Sequence, residues 1–267
     1  MSGLRAPEDG REGRLLAHVV AHAPAGDLEG VLAAADAYQS TAEFFMSVGV
    51  EKGEVREGRG AGRRFIPCGF YSWRFFVSAP TRPSIPSPSS LSSQVLAGAL
   101  TNATIPVTAM LELGTYCGYG SLTMLCAAPP GATLTTVEYL PRNAAVARAM
   151  FVHAGVADRV DVRVGELGDH VASLGAAQGG PGPFDAVFID HAKDAYVPDL
   201  QLLLDAGLLT PGAVVVADNI KVPGAPEYRA FASSHPHLDT VFVDSSLEWL
   251  GEVGATDVVA VSTFRPA

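Results

Sequence analysis

Asp190-His191-Ala192-Lys193-Asp194 and, twenty-eight residues later, Asp218-Asn219 set carboxylates, an amide and an amine at the ends of two apolar runs, Phe184–Ile189 and Ala213–Ala217. Carboxylates at the carboxyl ends of apolar parallel strands stand where open α/β sheets bind ligands. Asp190, Asp218 and Asn219 offer oxygen donors only, which suits Mg²⁺ completed by water and substrate oxygens. The cluster lacks thiolates, and His191, beside a strand end, reads as a packing or supporting residue, so zinc is disfavoured. Lys193 is placed to act as a general base, because a metal ion and a cationic cofactor nearby would favour its neutral form. Its bland reading is a solvated lysine at the start of a helix.

A second constellation precedes it. Glu112-Leu113-Gly114-Thr115-Tyr116-Cys117-Gly118-Tyr119-Gly120 follows an apolar run and opens a helix, and its glycines let a ligand approach the backbone. The spacing G-x-x-x-G-x-G differs from the dinucleotide fingerprint, which argues against a nicotinamide enzyme. Glu138, twenty-four residues past Gly114, is placed to accept the two ribose hydroxyls of an adenosine. Glu112 interrupts an apolar strand, where an acid is not there for packing. A ligand carrying a positive sulfonium and an amino group would account for it.

These residues need a sheet to hold them. Apolar or β-branched runs at 107–113, 133–137, 160–164, 184–189 and 213–217 alternate with helical segments near 141–154, 167–175, 197–206 and 225–233. Strands alternating with helices of this length predict a doubly wound, mostly parallel α/β sheet. Runs at 240–243 and 257–263 follow without a helix between them, so the last strand is expected to be antiparallel. Residues 11–50 carry helical periodicity, broken at Pro24-Ala25-Gly26-Asp27, where Asp27 reads as an N-cap.

A chain of 267 residues with 48% hydrophobic content predicts a single domain spanning 1–267, with a helical part at 11–54 and 95–106 and an α/β core at 107–264. A net charge of −10 argues against a nucleic-acid partner. Three cysteines without metal-ligand spacing fit a reducing compartment. There is no apolar leader and no run of eighteen apolar residues, so a cytoplasmic monomer with no membrane association is expected.

Val55–Gln94 departs from the rest, with six arginines against one acid, five prolines and a Pro/Ser tract from Pro80 to Ser93. That composition predicts a disordered insertion. Its aromatic residues, Phe65 to Phe76, allow a docking loop instead. A retained intron is a sharper expectation: Val55-Arg56 and Gln94 are codable as splice junctions, and fusing Glu54 to Val95 reads as one uninterrupted helix.

Four segments together resemble the catechol O-methyltransferase family. They are Leu111-Glu112-Leu113-Gly114-Thr115-Tyr116-Cys117-Gly118-Tyr119, Phe188-Ile189-Asp190-His191-Ala192-Lys193-Asp194, Ala217-Asp218-Asn219 and Pro223-Gly224-Ala225-Pro226. Phe45-Met46-Ser47-Val48-Gly49 is similar to the family's N-terminal cofactor segment, and the likeness spans 14–54 and 95–263 while skipping Val55–Gln94. The resemblance implies a seven-stranded, Rossmann-like methyltransferase that uses S-adenosylmethionine. Val48, Glu112, Gly114, Tyr116, Gly118, Tyr119, Gly120, Glu138 and Asp190 would bind the cofactor. Asp190, Asp218 and Asn219 would bind Mg²⁺ and, with Lys193 as base, face a catechol or related diphenol. Glu248 would hydrogen-bond the second hydroxyl, and Pro223 would stand beside the ring.

The chain departs from that family at Ala192 and Phe44, which replace tryptophans, at Leu167-Gly168 for a Ser-Gln pair, and at Gly120 for a serine. A wider or differently shaped aromatic pocket is expected. The expected activity is therefore Mg²⁺-dependent methyl transfer to one hydroxyl of a catechol. A non-catalytic cofactor- or partner-binding relative is the alternative, with an RNA methyltransferase behind it.

Overall fold

In a computed structural model of the chain, the described residues are 10–41, 91–246 and 256–266. Phe44, Val48, Glu248 and residues 55–90 lie outside them. In chain order the principal elements are α1 (Arg11–His22), α2 (Leu28–Thr41), α3 (Leu91–Thr101), β1 (Ala109–Leu113), α4 (Tyr119–Ala127), β2 (Thr133–Glu138), α5 (Pro141–His153), β3 (Val160–Val164), α6 (Leu167–Leu174), β4 (Phe184–Ile189), α7 (Tyr196–Asp205), β5 (Leu209–Ala217), α8 (Pro226–Ser234), β6 (Leu238–Ser246) and β7 (Thr256–Phe264). Seven strands form one sheet in the order β3-β2-β1-β4-β5-β7-β6. β7 runs antiparallel to both β5 and β6, and the pairings among the first five strands are parallel.

The double winding is written in the alternation along the strands. Met110, Ala186, Phe188, Val214 and Val216 pack on one face with residues of α1 to α5. Leu111, Leu113, Val187, Ile189, Ala213, Val215 and Ala217 pack on the other with residues of α6, α7 and α8. Successive side chains of a strand point to opposite faces, so a strand covered on both sides is apolar throughout. All six residues of β4 are buried. Each fully buried leucine or isoleucine of these strands contributes about 1.5–3 kcal/mol.

Local chemistry sets the element ends. Asp27 Oδ1 accepts from the Gly30 N–H at 2.9 Å, the expected N-cap of α2. Pro141 opens α5, where its missing N–H is no loss. Asp185, the polar residue inside β4, accepts at Oδ2 from the Thr108 N–H at 2.9 Å, the Ala109 N–H at 3.1 Å and the Thr108 hydroxyl at 2.8 Å. Burial alone would raise this carboxyl, but those donors outweigh it and hold it below its ordinary value. The staple leaves Val107-Thr108 outside β1, which starts two residues later than the apolar pattern suggests.

Two boundaries need correcting. β5 begins at Leu209 rather than Ala213, because Leu209 pairs with Phe184 ahead of a bulge that absorbs Pro211 and Gly212. α3 begins at Leu91, so Leu91–Gln94 are helical rather than part of a disordered insertion. The helix is drawn in by Leu96 and Leu100, which are 2% and 5% exposed against the core.

Candidate active site

The sheet order reverses between β1 and β4, and the predicted residues gather at the carboxyl ends of the strands flanking that point. This is where doubly wound sheets form a ligand crevice. Gly114 follows β1 and donates its N–H to the Val137 carbonyl at 2.9 Å. Its φ is +99°, and a Cβ there would lie 2.5 Å from the Asp190 carbonyl oxygen. Only glycine lets the two strand exits pass this closely. Gly118, at φ +90°, precedes α4, and a Cβ on it would lie 2.6 Å from the Phe151 ring.

The loop between these glycines is tied on both sides. The Tyr116 N–H donates to Glu138 Oε2 at 2.8 Å, while Glu138 Oε1 accepts from the Leu140 N–H at 2.9 Å and Asn143 Nδ2 at 3.3 Å. Four lone-pair directions on a carboxylate leave capacity for a ligand hydroxyl beyond these bonds. The Tyr116 hydroxyl donates to Glu12 Oε1 at 3.0 Å and the Tyr119 hydroxyl to Asp36 Oδ1 at 2.6 Å, which fasten the loop to α1 and α2.

Glu112 is fully buried in β1. Its Oε2 accepts from the Thr136 hydroxyl at 2.6 Å and from the Ser121 hydroxyl, whereas Oε1 has no partner among the described residues. Burial pushes its carboxyl from 4.5 up to about 7, against the pull of those two hydroxyls and with a smaller push from Glu138. A Cβ on Gly120 would sit 2.5 Å from Glu112 Oε1 and 3.1 Å from the Phe188 ring. Those two neighbours fill the space a larger side chain would need, which accounts for glycine at a position where the resembling family has serine.

At the ends of β4 and β5 the register pairs Ile189 with Ala217, so Asp190 and Asp218 emerge side by side. The Asp218 N–H donates to the Ile189 carbonyl at 3.1 Å and the Asp190 N–H to the Leu113 carbonyl at 2.9 Å. Both side chains are buried, at 6% and 8% exposure. Burial raises both carboxyls, Lys193 pulls both down, and the Asp218 charge pushes Asp190 further up. Lys193 Nζ donates to Asp190 Oδ1 and Asn219 Oδ1, each at 3.1 Å, and to the Tyr196 hydroxyl. Tyr196 in turn donates to the Asp218 carbonyl at 3.1 Å. His191 turns away from the cluster, bonding Asp199 Oδ2 through Nε2 at 2.8 Å, which agrees with a supporting role.

The donor set fits a hard divalent cation. The Asp190 carboxylate and the Asn219 amide oxygen share one ammonium, the buried Asp218 carboxylate stands beside them and accepts from the Asn219 N–H at 2.8 Å, and all three side chains offer oxygen. Among the described residues no three His, Cys, Asp or Glu side chains group closely enough to hold a metal by themselves. The third donor here is an amide. Pro223 lies exposed in the turn after β5, while Leu167 is buried in the core and Gly168 is exposed, with nothing within 4 Å of a Cβ. Val48 and Glu248 fall outside the described residues.

Sequence reasoning did not single out Tyr196 or Asp257. Tyr196 lies one helical turn past Lys193, a spacing that brings side chains together and was the available signal. Asp257 contacts Asn219 from 38 residues away, and no local pattern announces such a contact.

The pattern of the O-methyltransferase family matches residues 99–226. The chain is 39% identical over 226 residues to "Probable O-methyltransferase Rv1703c" of Mycobacterium tuberculosis, covering 84% of this chain and 78% of that one. It is 33% identical over 240 residues to the catechol O-methyltransferase of Mus musculus, covering 90% and 74%. The crystal structure of cofactor-bound Rv0187 from MTB superimposes with a TM-score of 0.55 at 29% identity, over 70% of this chain and 84% of that one. With the sheet order, the glycine loop and the paired strand-end acids in place, the chain belongs to the S-adenosylmethionine-dependent O-methyltransferases.

Proposed function

We propose that this enzyme transfers a methyl group to one hydroxyl of a catechol-type diphenol, with Mg²⁺ held by Asp190, Asp218 and Asn219. The observation that carries this reading is that Asp190 and Asn219 turn their oxygens to one ammonium, Lys193, with the buried Asp218 carboxylate beside them at the adjoining strand end. S-adenosylmethionine supplies the methyl group, and Mg²⁺ supplies a fixed positive charge that binds vicinal oxygens and acidifies a phenol. Gly114, Gly118 and the tethered Tyr116 shape the cofactor loop, and Glu112 and Glu138 answer positive charge and ribose hydroxyls. Lys193, after giving one proton to solvent, takes the phenol proton as a neutral amine. Its three donors are spent on Asp190, Asn219 and Tyr196. Two of those acceptors are the oxygens proposed for the metal, so handing them over releases Lys193 for the substrate. Tyr196 and the Asp218 carbonyl keep the amine in place. Val48 toward the cofactor, Pro223 beside the ring and Glu248 toward the second hydroxyl complete the proposal. A small diphenol acted on by a monomer suits a net charge of −10 better than a nucleic acid does.

A substrate panel tests it. With labelled S-adenosylmethionine and Mg²⁺, catechol should be methylated at least about 100-fold faster than resorcinol or phenol, because only vicinal oxygens chelate one ion. Equal turnover of resorcinol would rule out chelation by the substrate.

Glu112 yields a separate expectation. Its carboxyl rises from 4.5 to about 7 on folding. A raised acid contributes stability that is fully present below the unfolded value and lost as pH climbs through the folded one. At pH 8 the cofactor-free chain therefore carries an unfavourable buried charge. Glu112→Gln should raise its unfolding free energy there by about 1–3 kcal/mol, while weakening S-adenosylmethionine binding measured by calorimetry. Equal cofactor affinity in the variant would remove Glu112 from the binding site.

A further inference from the structure

Of the three proposed ligands, Asn219 alone depends on which way its side chain is turned, since its oxygen can bind a cation and its nitrogen cannot. The partners at its two ends permit one orientation. Lys193 Nζ, which only donates, lies 3.1 Å from Oδ1, and Asp257 Oδ2 accepts from Nδ2 at 3.0 Å. Asp257 is fully buried on β7. Its Oδ1 accepts from the N–H groups of Lys221 and Val222, both at 3.0 Å, and of Val258 at 2.7 Å. Four donors thus converge on one carboxylate. Two of them belong to the turn after Asn219, a residue that itself stands at φ +59°. Lys193 reaches the amide on a flexible stem, whereas Asp257 is anchored in the sheet opposite Ser245.

We propose that Asp257 is a positioning residue for the metal: it holds the Asn219 amide so that Oδ1 faces Lys193 and Nδ2 is turned away. The inference rests on the Mg²⁺ reading above. Groups that orient metal ligands change affinity by about 10–100-fold when removed. Asp257→Asn keeps the shape and the oxygen that caps three N–H groups, but sets a donor amide against Nδ2 of Asn219. The Asn219 side chain is then driven to turn over, presenting nitrogen to the metal. The exchanged pair, Asn219→Asp with Asp257→Asn, makes the contact complementary again and keeps the net charge.

The test is Mn²⁺ binding to the full chain, read by the paramagnetic resonance of the free ion, with thermal unfolding followed in parallel. Asp257→Asn should weaken Mn²⁺ binding by about 10–100-fold while unfolding stays cooperative, and the exchanged pair should recover it. Wild-type affinity in Asp257→Asn, or an exchanged pair no better than the single variant, would overturn the proposal and leave the metal reading standing. If the single variant does not fold, Asp257→Ser decides: a folded variant with Mn²⁺ binding weakened by about 10–100-fold supports the assignment, and one with wild-type affinity refutes it. A wild-type chain that binds no Mn²⁺ would remove the metal reading and this inference together.

Discussion

Lys193→Arg is expected to lower kcat for catechol methylation by about 10²–10⁴-fold, the usual contribution of a positioned general base. Arginine keeps the positive charge beside Asp190 and Asp218, so the buried acids retain their counter-ion, but it does not give up its proton near neutral pH. The choice matters because Lys193 is the group that pulls both carboxyls down. A neutral substitute would remove base and counter-charge at once. The loss should shrink as pH rises toward the ordinary phenol value of about 10, where more substrate arrives already ionised. A catechol bearing a nitro group, ionised at lower pH, should show a smaller loss than catechol itself. A constant deficit across pH and across substrates would assign Lys193 a purely structural role.

Gly114→Ala is expected to abolish turnover and weaken cofactor binding by at least about 100-fold, with a stability loss of about 3 kcal/mol or more. Two causes add. At φ +99° a side chain is strained, and its Cβ would lie 2.5 Å from the Asp190 carbonyl oxygen and 2.8 Å from the Asp190 carbonyl carbon. Both neighbours are backbone atoms, so relief requires the exits of β1 and β4 to separate. That movement would displace Asp190 itself. Gly168→Ala is the control, because beyond its chain neighbours and the backbone of its own helix nothing lies within 4 Å of the added Cβ. It should bind S-adenosylmethionine as the wild type does. Normal cofactor binding in Gly114→Ala, checked by calorimetry, would mean that the close crossing is not what shapes the loop.

The parts of the fold legible in the sequence were those whose burial is local. β3 and β4 occupy Val160–Val164 and Phe184–Ile189, as their β-branched and apolar runs suggest, since short runs bounded by glycine, proline or acids leave little freedom in register. The start of β5 is hidden in the sequence because Thr210-Pro211-Gly212 looks like a turn, and only the pairing of Leu209 with Phe184 extends the strand across it. The start of α3 was hidden by the Pro/Ser tract, and the burial of Leu96 and Leu100 that draws the helix in is a tertiary fact. The site divided in the same way. Asp190, Asp218 and Glu138 close strands, so their meeting follows from the parallel sheet. Tyr116 in the loop and Tyr119 at the start of α4 are legible in the glycine motif, but their anchors Glu12 and Asp36 sit 104 and 83 residues away. In the sequence Asp257 stands only at the start of a strand, and the carboxylate contacts that organise the turn after Asn219 come from the fold.

Metal-assisted methyl transfer is tested most directly by the rate of catechol methylation in chelator, followed by titration with Mg²⁺. Turnover should disappear in chelator and return saturably as Mg²⁺ is added, and Asp218→Ala should show no such return at the same concentrations. Undiminished turnover in chelator by the wild-type enzyme would contradict it, and would leave Asp190, Asp218 and Asn219 as partners of Lys193 rather than ligands of a metal.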